Sequence, residues 1–208
     1  MEPADYWTMI HTERRRLCDT LEGLSPTQWQ ASTLCSDWTT EQVVAHLTAA
    51  ALTGTGAWIR SIVRARFKPA VHNERLLSRR LGPTPEATLK RFRDATTSTI
   101  APTKDYPAFL GEVIVHGQDI ARPLGLDLAP DPAAVVAVAT FYAAKDFAVN
   151  SKTLVAGLRL EADDADFAAG DGPLVTGPVL SLVMAMAGRS GYGADLSGDG
   201  ADEWRSRL

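Results

Sequence analysis

Glu112 and His116 stand four residues apart in the apolar run Leu110-Gly111-Glu112-Val113-Ile114-Val115-His116, and His46 stands alone in Val43-Val44-Ala45-His46-Leu47. Two imidazoles and one carboxylate are a ligand set used for catalytic zinc, with a fourth position left for water or substrate. The same set also serves non-haem iron. On a helix, residues four apart share a face about 6 Å apart along the axis and can converge on one ion. On a strand they would lie about 13 Å apart, too far to share a metal. The chemistry therefore requires residues 108–121 to be helical, against the pull of the β-branched Val113, Ile114 and Val115. About fourteen residues without a turn signal favour the helix.

Spacing alone carries little. With 4 His and 25 Asp plus Glu in 208 residues, an acid four residues before some His arises by chance in roughly half of comparable chains. Environment adds weight, because both groups interrupt an apolar segment where an unpaired charge is costly and an ion or a hydrogen-bond network must compensate. His46 shares a helix face with Val43, Leu47 and Ala50, so it points inward. A core histidine bonded to a carbonyl satisfies the same pattern.

The elements that must position these residues read as mostly helical. Tyr6, Ile10, Leu17, Leu21 and Leu24 recur at helical spacing and predict an amphipathic helix over residues 5–21, followed by a short helical turn from Ser25-Pro26. Thr39-Thr40-Glu41-Gln42 is a capping box, with Thr39 as N-cap and Gln42 at N3, opening a helix that extends to about Phe67 and is closed by Pro69. Residues 72–80 form a short charged segment on which His72 faces solvent. Gly82-Pro83-Thr84-Pro85 introduces a helix to about Ile100, and Tyr106-Pro107 introduces the one carrying Glu112 and His116. Pro130-Asp131-Pro132 precedes a helix over residues 133–149 whose nearly all-round apolar character implies that it is sandwiched.

The texture changes after Asn150. Residues 157–162 alternate like a strand, 167–169 return as a partner, 174–176 add a third, and Pro178 opens a helix through Met186. The expected division is a helical bundle over residues 1–150 and a small α/β domain over 151–208. The glycines of residues 170–173 and 188–191 read as turns, since no Gly-Lys-Ser/Thr follows them.

Composition bounds the function. A chain of 208 residues, 45% hydrophobic, buries a full core. Its net charge of −4 and pI near 5.6 argue against a nucleic-acid or anionic-membrane surface. Arg60, Arg64, Arg66 and Lys68 then read as a solvated helix face. The amino terminus lacks a secretory layout and no apolar run approaches a membrane span, so a cytoplasmic location is expected. Cys18 and Cys35 form neither a disulfide framework nor a metal-spaced pair and read as small buried hydrophobes. Oligomeric state, monomer or homodimer, is open.

Two blocks carry a family resemblance. Ser36-Asp37-Trp38-Thr39-Thr40-Glu41-Gln42-Val43-Val44-Ala45-His46-Leu47 resembles the first block of the mycothiol-dependent maleylpyruvate isomerase family, a branch of the DinB-like metalloenzymes, and Glu112 through Gly125 resembles its second. Residues 167–173, with Gly177-Pro178 and Ala187-Gly188-Arg189, are similar to its carboxy-terminal domain. The resemblance implies a DinB-like four-helix bundle followed by a small α/β domain, with a divalent ion, usually zinc, on His46, Glu112 and His116. It further implies mycothiol as cofactor or cosubstrate and a small electrophilic substrate, in isomerase or S-transferase chemistry. Arg122 and Arg189 are then candidates to pair with a substrate or cofactor carboxylate, although a structural salt bridge, for instance with Asp119, accounts for Arg122 equally well. Two readings of other classes stand beside this one: metal-dependent hydrolysis of an ester or amide, and a helical bundle that binds a small ligand without catalysis.

Overall fold

The computed structural model describes residues 1–35 and 38–208. Ser36 and Asp37, which open the first resemblance block, lie outside the described residues. The chain is mainly helical with one small sheet and divides into two compact units, Met1–Ala129 and Pro130–Leu208.

In the first unit, α1 (Pro3–Leu21), α3 (Thr40–Leu52), α6 (Pro85–Asp94) and α7 (Tyr106–Leu124) form the four-helix bundle, with the short α2 (Pro26–Trp29) beside α3. In the bundle, α1 packs on α7 and α6, and α3 packs on the same two helices. The core between them holds Leu17, Leu21, Val43, Leu47, Phe92 and Ile120. The expected start of α3 is borne out: Thr39 Oγ1 accepts from the Gln42 backbone at 3.4 Å, and the Gln42 side chain accepts from the Thr39 N–H at 2.9 Å. The helicity required of α7 is also present. Val113, Ile114 and Val115 are all buried, so tertiary packing offsets their weak helix propensity. Gly125, at φ 62°, terminates α7 in the left-handed conformation.

The long helix expected to reach Phe67 is instead two helices, with a third beginning just beyond it. Thr53 turns extended (φ −104°, ψ 106°) and ends α3, Gly54 caps α4 (Thr55–Arg64), and Pro69 opens α5 (Pro69–Ser78) rather than closing anything. The α4–α5 turn passes through Arg66 and Phe67 at φ 52° and 59°. Proline is well suited to the first helical turn, where its missing N–H costs nothing. α5 lies on α3 and α4, and it buries His72 to 5% exposure, against the solvent-facing position expected. Ser61 compensates: its Oγ lies 2.9 Å from His72 Nδ1. α6 stops at Asp94, short of Ile100, where a run of Thr and Ser begins and Thr96 Oγ1 bonds back to the Arg93 carbonyl.

The second unit contains α8 (Pro132–Ala144), α9 (Ser151–Leu154), β1 (Arg159–Ala162), β2 (Ala168–Ala169), β3 (Leu174–Gly177), α10 (Val179–Met186), a 3₁₀ turn over Ser190–Asp195 and α11 (Ala201–Arg205). β1 is central, antiparallel to β2 and parallel to β3. The division expected at residue 150 therefore differs from the one that packing draws, since α8 lies with α10 in this unit. α8 buries one stripe, including Ala134, Val135, Val138 and Tyr142, while Thr140 is exposed, so it is not sandwiched. Gly170 and Gly172 are turn residues with positive φ, and a Cβ at either would strike the backbone oxygen of Leu158 or Gly157. No helix among the described residues is long and apolar enough to cross a membrane.

Candidate metal centre

α3 and α7 bring the three nominated side chains together from positions 66 and 70 residues apart in sequence. A ring nitrogen of His46, a carboxylate oxygen of Glu112 and a ring nitrogen of His116 all lie within 4.8 Å of one another. Glu112 Oε1 is the common point: it lies 2.6 Å from His46 Nε2 and 3.8 Å from His116 Nε2. The two imidazoles meet nearly edge to face, with centroids 5.0 Å apart and an interplanar angle of 81°. His46 is buried, while Glu112 and His116 are half-buried.

Asp119, one turn beyond His116 and with no exposure, completes the arrangement. His116 Nδ1 lies 2.9 Å from Asp119 Oδ2. An ionised carboxylate only accepts, so the ring proton belongs on Nδ1, and Nε2 is left as a lone-pair donor directed toward Glu112 and His46. A carboxylate orienting the far nitrogen of a metal-binding histidine is a recurrent supporting contact. Burial opposes charge on His116, but Asp119, Cys35 and Glu112 together outweigh it and push its pKa up to about 10. The pocket thus carries a strong field favouring positive charge, which a proton or a cation can satisfy. The donor types, their convergence and this field all fit a divalent ion.

A loop before α3 walls the site. Thr33 Oγ1 donates to the Trp38 carbonyl at 2.9 Å and accepts from the Cys35 N–H at 3.1 Å, while Leu34 N–H donates to the Asp119 carbonyl at 3.0 Å. These bonds place the Trp38 indole 4.9 Å from the His46 ring and 6.4 Å from His116. The Cys35 thiol falls with His116 and Asp119 in a second group of potential ligand atoms within 4.8 Å of one another. Cys35 is half-buried beside the site, not the inert core residue expected, whereas Cys18 is buried and its thiol is pushed up to about 12 by burial. Trp38 and Asp119 are the members that spacing did not nominate. An acid three residues after His116 inside an apolar helix was a readable signal; the loop contacts were not.

From Cys35 and Trp38 an open cleft of about 830 Å³ runs along α5, lined also by Val71, Asn73, Glu74, Arg75 and Ser78. Arg75 Nη1 is sealed without a hydrogen-bond partner. Arg122 is exposed in the last turn of α7 and is not among the cleft's lining residues. Arg189 lies in the second unit, where its Nη1 donates to the Ala187 carbonyl at 2.6 Å.

Comparison with known proteins agrees with this architecture. Residues 10–108 match the family model described as the mycothiol maleylpyruvate isomerase N-terminal domain. Two solved structures, the mycothiol-dependent maleylpyruvate isomerase and a histidine-to-alanine mutant of it, superpose with a TM-score of 0.66 each. They are 14% and 13% identical to this chain, and each match covers 97% of this chain and 94% of the other. No curated protein matches the sequence. Just under half of the chain, residues 10–108, thus matches the mycothiol maleylpyruvate isomerase N-terminal domain model, within a fold shared with that isomerase over nearly the whole length.

Proposed function

We propose that the chain is a mycothiol-using enzyme, maleylpyruvate isomerase-like or an S-transferase, acting on a small electrophile with a divalent ion, zinc first, on His46, Glu112 and His116. The observation that carries this reading is the convergence of those three donors within 4.8 Å, with Asp119 fixing the His116 tautomer. The family match over residues 10–108 supports the choice of thiol.

An ion held there supplies Lewis acidity and lowers the pKa of a bound thiol. The protein does the rest. Asp119 holds the proton on His116 Nδ1, and Glu112 neutralises charge between the two imidazoles. Trp38 shields the His46 side from water, which strengthens the local electrostatics. The cleft beyond Trp38 accommodates the body of a polar thiol or its substrate, with Asn73, Glu74 and Ser78 as hydrogen-bonding groups. Arg75 is among the residues lining this cleft, and its guanidinium is of the kind that pairs with a carboxylate. Arg122 and Arg189 remain further candidates for that role. Neither protein cysteine is required as nucleophile.

Elemental analysis of purified wild type beside His46→Ala, followed by thiol-consumption assays with mycothiol and an electrophilic cis-enedioyl acid such as maleylpyruvate, tests the proposal. One ion per chain in wild type, its loss in the variant, and turnover only with added mycothiol are expected. Turnover undiminished without the thiol, or chelator-sensitive cleavage of chromogenic esters in its place, would sink it.

A further inference from the structure

The helix α4 carries an apolar side that the bundle does not cover. Of its ten residues only Ser61 is buried, and α5 is the helix it packs against. At 3.6 residues per turn, Trp58, Ser61, Ile62 and Ala65 make the side turned to the protein, all of them buried or half-buried. Trp58 and Ser61 meet His72 of α5 there. Ile59 and Val63, one turn apart, share a second side and are exposed, Val63 to 54%. Phe67, four residues further on in the turn to α5, is 74% exposed. Ile100 adds to the apolar surface at the other end of the helix: it is exposed, and a Cβ on Gly54, the N-cap of α4, would lie 3.5 Å from its Cγ2. The third side is cationic, with exposed Arg60 and Arg64 followed by exposed Arg66 and Lys68. None of these four makes an ion pair among the described residues. The sequence has no acid from Gln42 to Asn73.

From this arrangement we infer that α4 and the turn after it dock the protein on the surface of an anionic lipid bilayer. The charge of the whole chain, −4, argues against such a surface, but a bilayer meets one face of a protein, and salt confines that face's field to about 10 Å. What counts is the local balance, four cations and no acid. A helix lying in the plane of a bilayer interface buries its apolar side at the boundary of headgroups and acyl chains and sets its cations among the headgroups. Ile59 and Val63 supply the first requirement on α4, and Arg60 and Arg64 the second. Phe67 contributes an exposed aromatic ring at the end of the same helix. The cations select the lipid: Arg60, Arg64, Arg66 and Lys68 gain from anionic headgroups and little from neutral ones. A second copy of the chain fits this face less well. A two-fold contact pairs a patch with itself, so the cations of one copy would meet those of the other with no acid in the segment to answer them. The contact is peripheral, and it is independent of the thiol reading above.

The full chain is sedimented with vesicles of phosphatidylcholine and phosphatidylglycerol in equal parts, and with vesicles of phosphatidylcholine alone. Salt is set at about 0.1 M and about 1 M, between which the Debye length falls from about 10 to about 3 Å. Wild type is expected to partition onto the anionic vesicles at the lower salt, with little on the neutral ones and a marked loss at the higher salt. Replacing Arg60 and Arg64 together by Ala lowers the partition coefficient about 30-fold, and Phe67→Ser lowers it about tenfold. Arg60, Arg64 and Phe67 are all exposed, so the variants are expected to melt as wild type does. Absence of binding to the anionic vesicles overturns the inference, as does equal binding to both kinds of vesicle. Unchanged partition in both variants overturns it too. A lipid-free dimer of wild type that Phe67→Ser dissociates assigns the face to self-association instead.

Discussion

Asp119 and His116 are joined at 2.9 Å by a carboxylate with no solvent exposure, and that bond decides which nitrogen of His116 faces Glu112 and His46. Asp119→Ala leaves Nδ1 without an acceptor and frees the ring to rotate or change tautomer. Affinity for zinc is expected to fall about 10–100-fold, measured by competition with a chromogenic chelator. Affinity within a factor of two of wild type contradicts the role given to Asp119.

Binding to the native state alone stabilises it. With free zinc at 100 times its dissociation constant, unfolding of the first unit should require about 2.7 kcal/mol more than in the apo form. Chelation should therefore lower the melting temperature of wild type and leave that of His46→Ala unchanged. An equal response in both proteins places the ion elsewhere.

Thr39 and Gln42 cap α3 reciprocally, and His46 follows two turns later on the same helix. Thr39→Ala removes one capping bond and is expected to cost about 1 kcal/mol, read by urea denaturation. The rest of α3 is held by its buried face, so zinc stoichiometry should be unchanged. Loss of the ion with little loss of stability would show that the cap positions His46 directly.

His72 has a depressed pKa in the folded state. Below its ordinary value near 6.5, the unfolded chain takes up the proton first, so protonation favours unfolding and stability falls as pH is lowered. Above that value His72 is neutral in both states and contributes no slope. Denaturation curves of the apo protein at pH 7.5, 6.5 and 5.5 should show wild type losing stability relative to His72→Gln on acidification. A difference between the two that is constant with pH contradicts the burial of a neutral imidazole.

The bundle was legible where one residue type has one meaning. Thr39 and Gln42 predict a cap at the correct residue, and the apolar surroundings of Glu112 and His116 indicate an inward-facing pair. The sequence was ambiguous where a residue serves two ends. Pro69 ends a helix as readily as it starts one, and the left-handed turn at Arg66 and Phe67 just before it decides between them. His72 sits in a charged stretch that reads as surface, and its burial depends on Ser61, eleven residues earlier on a separate helix. Cys35 and Trp38 reach the site through a loop folded by Thr33 and by the backbone of Asp119. Such bonds leave no periodic trace, so the trio could be nominated from the sequence but its walls could not.

Asp119 serves two clients at once. Its side chain orients His116, while its carbonyl receives the Leu34 N–H and clips the loop of Cys35 and Trp38 to α7. A guest in the cleft whose binding shifted Leu34 would act, through that bond, on the helical turn that aims the imidazole. Thermodynamic reciprocity then applies: by whatever factor an ion tightens the cleft for its guest, the guest tightens the trio for its ion. Asp119 thereby ties the proposed ion site and the chain segment beside the cleft to one turn of α7.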